Sequence, residues 1–300
     1  MDYKAEVLFH PVYELISSIH TFICKKGSKK IDLGMSWAAE VSGRLSPELL
    51  EALEETELDN DWKLFNLLIH LCPDKQSVGS VLDWLDGLSV GEMYETLGSH
   101  VSQFPVQMEL YRSRMVFLLS EWNRQYFSSC NPVILDKLQQ HTEERRGMLK
   151  GSPVAEFVNQ TTNGFYFLPG SGLRRLVLIP QFHFQPINIL YSYGDLTICH
   201  YAARIQVPEE EISPAMHRTL RSLGEKSRLR ILKSLGGERK SFTEIARQAG
   251  LSKGIVHDHI TSLRSAGLLN AFIEGENVTA YSLRLEGIQQ MNEQLSAYLK

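Results

Sequence analysis

SFTEIARQAGLSKGIVHDHITSLRSAGLL, residues 241–269, holds two short helical patterns separated by a glycine turn. Ser241 and Glu244 stand in the S-x-x-E relation of a capping box, in which each side chain satisfies a backbone N–H of the first turn. Phe242, Ile245, Ala246 and Ala249 recur at helical spacing and leave Glu244, Arg247 and Gln248 on the other face. Gly250 can take the left-handed conformation that closes a helix. Ser252 is placed to cap a second helix, in which Ile255, Val256, Ile260 and Leu263 line one side and Lys253, His257, Thr261 and Arg264 point elsewhere; Gly267 ends it. The small Ala246 and the turn Gly250 let the two helices cross closely at a wide angle. A helical hairpin inside a bundle would share these features, so the flanking sequence decides.

Upstream, GEKSRLRILKSLGG (224–237) is a basic amphipathic helix with Leu229, Leu232 and Leu235 spaced to face a core. Downstream, LLNAFIEGENVTAYSL (268–283) reads as two strands around a turn centred on Gly275, which would form a wing. The runs SRLRILKSL, EIARQAGLS and VHDHITSLRSAGLL and the Tyr281-Ser282-Leu283 strand end together resemble the winged-helix domain of ArsR-type bacterial transcriptional regulators. The resemblance covers residues 214–299.

That resemblance implies that the second helix of the turn reads double-stranded DNA. Ser252, Lys253, His257, Thr261 and Arg264 are then the side chains for base edges and phosphates, and Arg228, Arg230 and Arg284 supply further backbone charge. His259 has two readings, packing within the domain or contact with DNA. Asp258 departs from the family pattern, since a carboxylate repels phosphate; it can accept a hydrogen bond from cytosine N4. Glu274 and Glu276 flank the wing tip where the family commonly carries Arg or Lys. By the same resemblance, the seam of Leu285, Ile288, Met291 and Leu295 on the last helix, joined by Leu220 and Leu223, forms a homodimer interface; its alternative is packing on the N-terminal region. A dimer would set two reading helices one helical turn apart.

The net charge of −4 conceals an asymmetry. Residues 214–300 carry 13 Lys and Arg against 8 Asp and Glu, whereas residues 1–213 carry 18 against 27. A phosphate backbone attracts the locally basic module whatever the whole-chain balance. The composition, 43% hydrophobic and 22% charged, is that of a globular protein. The N-terminus shows no cleavage pattern, and no run of 18 apolar residues occurs, which fits a cytoplasmic protein without membrane association.

The expected fold is mainly α with minor β. Residues 1–207 form a helical region plus a small antiparallel sheet at about 163–202, residues 208–213 a linker, and residues 214–300 the winged helix. Near 12–24, Val12, Leu15, Ile16 and Ile19 fall at helical intervals, and Ser46-Pro47 opens another helix. The longest helix spans about 106–127, with Leu110, Phe117, Leu118, Trp122 and Tyr126 on its buried side; the next runs from about 132 to 148. Gly194-Asp195 marks a hairpin. GSGLRR (170–175) is a turn, lacking the glycine and lysine spacing of a phosphate loop.

No catalytic, cofactor or metal residue is expected. Cys24, Cys72, Cys130 and Cys199 form no C-x-x-C pair, His257 and His259 diverge on one helix, and Cys199 and His200 point to opposite faces of a strand. The large N-terminal region implies a sensing or assembly role, and Trp84, Trp122, Tyr166, Phe182, Phe184, Tyr191 and Tyr193 are candidates to line a small-molecule effector pocket. The leading expectation is a homodimeric repressor on an inverted-repeat operator. Asp258, Glu274 and Glu276 keep open a protein-interaction module.

Overall fold

The computed structural model describes residues 3–24, 30–168, 172–207 and 212–300. Its contacts divide the chain into one unit of residues 7–143 and 177–203, and another of residues 1–6, 144–176 and 204–300. The described residues contain β1 (Lys4–Val7), α1 (Pro11–Ile23), α2 (Gly34–Ser42), α3 (Pro47–Glu54), α4 (Asn60–Leu71), α5 (Val78–Gly87), α6 (Val90–Gly98), α7 (Met108–Gln125), α8 (Val133–Leu149) and α9 (Val154–Thr161). Then follow β2 (Phe165–Phe167), β3 (Arg175–Gln181), β4 (Ile189–Tyr193), β5 (Leu196–Ala202), α10 (Pro214–Leu223), α11 (Lys226–Leu235), α12 (Phe242–Ala249), α13 (Lys253–Ser265), β6 (Leu269–Glu274), β7 (Asn277–Leu283) and α14 (Leu285–Tyr298). Mixed α+β, as expected, is the class.

In the first unit, local chemistry starts the helices. Pro11 and Pro47 occupy first-turn positions, Ser46 caps α3, and Ser77 and Ser89 form capping boxes with Ser80 and Glu92. The core gathers Leu15, Ile16, Ile19, Trp62, Phe65, Leu118 and Trp122. Along α7 the buried stripe is Tyr111, Met115, Leu118, Leu119 and Trp122, while Leu110 is 62% and Phe117 38% exposed. The sequence offers two apolar stripes on this helix. The one carrying both Tyr111 and Met115 turns inward. Gly194, at φ +60°, closes the β4–β5 hairpin, where Tyr193 pairs with Leu196. Cys199 and His200 are both buried on β5.

The same unit buries a charged pair. Glu14, fully buried, accepts the backbone N–H of Phe182 and of His183 and meets His183 Nδ1 at 2.5 Å. His183 Nε2 lies 2.9 Å from the Tyr126 hydroxyl, which also accepts the Trp37 indole N–H. Burial acts to lower the His183 pKa, but hydrogen bonds to Cys130 and Glu14 outweigh it and raise the imidazole to about 9. His20 and His200, buried without a carboxylate partner, are instead pushed down to about 3, His200 with added repulsion from His20 and His70.

The second unit contains α9, β2 and the elements from α10 onward. Ile231, Leu232, Leu235, Ile245, Ala246, Val256, Ile260, Leu263 and Leu268 form its core. Two residues expected there lie outside it: Leu229 is 45% and Ile255 47% exposed, because Ile231 and Val256 take the inward positions of their helices. β6 and β7 form the antiparallel wing, with Gly275 at φ +62° in its turn and an isolated bridge from Lys240 to Tyr281.

The segment expected as an antiparallel sheet at 163–202 is divided. β3, β4 and β5 belong to a four-stranded sheet of order β1-β3-β5-β4, whereas β2 joins the wing in the order β2-β6-β7. β2 runs parallel to β6, with Phe165 opposite Ala271 and Phe167 opposite Ile273. It covers the outer edge of β6, whose N–H and C=O groups would otherwise lack strand partners. Residues 144–176 thus group with the winged helix, whereas the expected boundary separated them from it. Of the expected linker 208–213, residues 208–211 lie outside the described residues, as do residues 170 and 171 of the expected turn.

Close approach fixes the junction. Gly164 has φ +117°, and a Cβ there would sit 2.5 Å from the Leu269 carbonyl oxygen; one on Gly267 would strike the Asn163 side chain, and one on Gly287 the Gly267 carbonyl. Gly164→Ala is therefore expected to lower stability by about 3 kcal/mol. Gly147→Ala, at an open helical position, should raise it by about 0.5–1 kcal/mol. Chemical denaturation of both variants checks the contrast, and equal effects would contradict it.

The histidines predict a pH optimum. His183 binds its proton more tightly folded than unfolded, so its contribution is complete below pH 6.5 and is lost as pH rises toward 9. His20 and His200 bind theirs more weakly, so their contribution is complete above pH 6.5 and is lost as pH falls toward 3. Denaturant midpoints should fall on both sides of near-neutral pH, and the alkaline fall should be absent from His183→Gln.

Candidate nucleic-acid interface

The helix-turn-helix forms through the contacts that its residue types predict. The Ser241 hydroxyl accepts the Glu244 N–H, and the Glu244 carboxylate accepts from the Ser241 hydroxyl at 2.7 Å and from its backbone N–H at 2.8 Å, which together hold that carboxyl below the usual range. Gly250 closes α12 at φ +63°, and Ser252 caps α13 by accepting the Ile255 N–H. Ile245 and Ala246 on α12 and Val256, Ile260 and Leu263 on α13 are buried where the helices pack.

This packing sets the outward face of α13. Ser252, Lys253, Gly254, Ile255, His257 and Asp258 are exposed, and Thr261 is half-buried. At 100° per residue, Gly254, Asp258 and Thr261 stand opposite the buried Val256–Ile260–Leu263 stripe, with Lys253 and His257 on one flank and Ile255 on the other. Asp258 therefore occupies the middle of the outward face. Its carboxylate and His257 Nδ1 are 4.0 Å apart, with both side chains about 70% exposed. At that exposure their attraction is screened and weak.

Several expected contacts are differently engaged. The Arg264 guanidinium lies 4.3 Å from the Phe165 ring centroid and donates to the Asn163 carbonyl, so it braces the end of α13 against the segment leading into β2. Arg228 donates from Nε to His259 Nδ1 and from Nη1 to the Arg221 carbonyl. His259 also meets Ser227 Oγ at 2.9 Å, so of its two readings the structure has the intradomain one. Arg230 is exposed.

Arg284, expected to offer charge to phosphate, is fully buried. It donates to the Gly267 carbonyl at 3.0 Å and to the amide oxygens of Asn163 and Asn159, and its Nη2 has no hydrogen-bond partner. Burial lowers its pKa. Its long side chain sits at the start of α14, where Gly267, Gly287 and the 159–163 segment converge. From sequence its position just after a strand suggested the surface; the approach of residues more than a hundred positions away enclosed it.

On the wing, Glu274, Gly275, Glu276 and Asn277 are exposed. Arg239, which the sequence reading did not single out, is exposed in the turn before α12 and places its guanidinium 4.0 Å from the centroid of Phe272, whose ring also stacks with Tyr166. Only the strand pairing that brings β6 beside this turn reveals it as a cation at the wing.

The expected dimer seam is partly used within the chain. Leu223 and Ile288 pack against the winged-helix core, and Met291 and Leu295 are half-buried. Leu220 is 36%, Leu285 57% and Leu299 72% exposed.

None of the seven aromatic residues considered for an effector pocket lines the cleft of about 520 Å³ in the first unit, whose walls include Trp62, Tyr111, Leu110, Asp59 and Arg114. Trp122, Phe182, Phe184, Tyr191 and Tyr193 are core residues. Among the described residues, no helix is long and apolar enough to cross a membrane.

No curated protein and no solved structure matches the chain. Residues 225–271 match the family model described as "Bacterial regulatory protein, arsR family", a span that begins at the cap of α11 and ends within β6. It encloses both helices of the turn and the whole outward face built above. Residues 225–271 are therefore an arsR-family helix-turn-helix domain, and through it the chain is a DNA-binding transcription regulator.

Proposed function

We propose that the protein is a cytoplasmic homodimeric repressor that binds an inverted-repeat operator and responds to a small-molecule effector through its N-terminal helical unit, without catalysing a reaction. The observation that carries this reading is the outward face of α13, where a helix N-terminus, Lys253, His257 and Thr261 project away from a packed core. Ser252 and the first-turn N–H groups suit a phosphate, Lys253 a phosphate or guanine, and Thr261 a base edge. Asp258 can accept from cytosine N4, so a cytosine facing the middle of the helix would replace the charge contacts that this face lacks. Arg230 and Arg239 supply phosphate charge on either side. Arg264 acts as a positioning residue, since its guanidinium is occupied by Phe165 and Asn163.

The exposed Leu220, Leu285 and Leu299 support dimerisation, because apolar side chains on two contacting helices gain by burial against a second copy. The exposed carboxylates of Asp258, Glu274 and Glu276 favour a second reading, a winged helix that docks on a basic protein surface instead of DNA.

Titrating operator DNA separates the two. Lys253→Ala should weaken binding about tenfold and reduce the salt slope by about one. Asp258→Asn should relax the preference at one cytosine position while tightening binding to non-specific DNA, because a repulsive charge is removed. Weak, salt-insensitive binding by the folded wild-type dimer would overturn the repressor reading in favour of the docking module.

A further inference from the structure

Ile255 has no part in the contacts proposed for α13, yet it stands in the first turn of that helix, where a groove-reading helix meets base edges. Its side chain is exposed while Val256 beside it is fully buried. Gly254, on its other side, adds no side chain, and a Cβ built there would meet no described atom within 4 Å. The first turn therefore offers open backbone with an aliphatic side chain projecting beside it. Asp258, three residues on, stands on the same side of the helix, about 60° around the axis.

Isoleucine has no donor or acceptor to offer a base edge. Against a purine it would strip water from N7 without replacing the lost hydrogen bond. Thymine alone among the four bases carries an apolar group into the major groove, its C5 methyl. On a helix, Cβ atoms three residues apart are about 5–6 Å from one another. That is more than one base-pair rise of about 3.4 Å and less than two.

We propose that Ile255 and Asp258 act as a pair that reads two neighbouring base pairs, Ile255 by packing on the C5 methyl of a thymine and Asp258 by accepting from cytosine N4. The assignment rests on the reading of α13 as the DNA-reading helix, and adds to it a second base and the group recognised on that base. Cytosine N4 projects toward the middle of the major groove, opposite Asp258 in the middle of the outward face. A thymine methyl lies nearer the groove wall, on the flank that Ile255 occupies. The pair also selects against other bases, since guanine O6 or thymine O4 would set an acceptor against the Asp258 carboxylate. Because Ile255 meets the methyl and not the group at C4, its contribution follows the methyl whether thymine or 5-methylcytosine carries it.

The full-length protein is used to select sites from random duplex DNA, and affinities for the enriched duplex are measured by fluorescence anisotropy. The cytosine is located by Asp258→Asn, which relaxes the preference there, and a thymine should occupy a neighbouring base pair. Replacing that thymine by uracil removes one methyl and nothing else, and should weaken binding by the wild-type protein about fourfold per half-site. With a cytosine–guanine pair at the same position, adding the 5-methyl should tighten binding by about the same factor. Ile255→Ala should lose most of both differences and keep the neighbouring cytosine preference. Equal affinity of the wild-type protein for the thymine and uracil duplexes overturns the proposal, and this comparison needs no variant to fold. Sequence-specific binding would persist in that case, so the DNA-reading helix would stand. Absence of any enriched sequence would instead overturn both.

Discussion

A buried guanidinium without a carboxylate partner holds the DNA-binding unit together. Arg284 is enclosed among neutral oxygens, those of Asn159, Asn163 and Gly267. Removing such a cation from water is costly, and the cost is offset only while those acceptors stay in place. Two of the three come from the segment that precedes β2. That segment also supplies the Asn163 carbonyl and the Phe165 ring to Arg264, and β2 itself to the edge of β6. The end of the reading helix, the wing and the start of α14 are therefore braced by residues far upstream in the chain.

This brace explains how the two cations on which a charge-based view of the domain would lean, Arg264 and Arg284, serve architecture. The outward face of α13 is left with Lys253 as its fixed positive charge and Asp258 at its centre. Such a face gains little from counterion release, and a carboxylate at its middle penalises a duplex that offers no donor there. In the proposed dimer, affinity comes from two heads binding together, and discrimination from hydrogen bonds and apolar contacts at base edges. The acidic wing tip fits the same economy of charge.

Features governed by local chemistry were legible in the sequence. The capping box at Ser241 and Glu244, the left-handed Gly250, the Ser252 cap, the wing turn at Gly275 and the Gly194 hairpin all depend on residues within four positions of one another. Features governed by distant approach were not. Phe165-Tyr166-Phe167 has the alternation of any strand, and nothing in it names a parallel partner a hundred residues later. Without that pairing, Arg264 and Arg284 read as surface cations. On α7 the expected Leu118, Trp122 and Tyr126 are buried, but Leu110 and Phe117 were misplaced, as were Leu229 and Ile255, for a related reason. Each helix carries more apolar residues than one face can bury, and only the neighbouring elements decide which are covered. The Glu14–His183–Tyr126–Trp37 chain draws on four separate regions, a spacing that no linear motif describes.

Selecting bound sequences from random duplex DNA with the full-length protein tests the central claim most directly, that the outward face of α13 reads DNA as part of a dimer. Enrichment of an inverted repeat with half-site centres about 10 base pairs apart is the predicted result. Recovery of unenriched DNA by a folded dimer would contradict it.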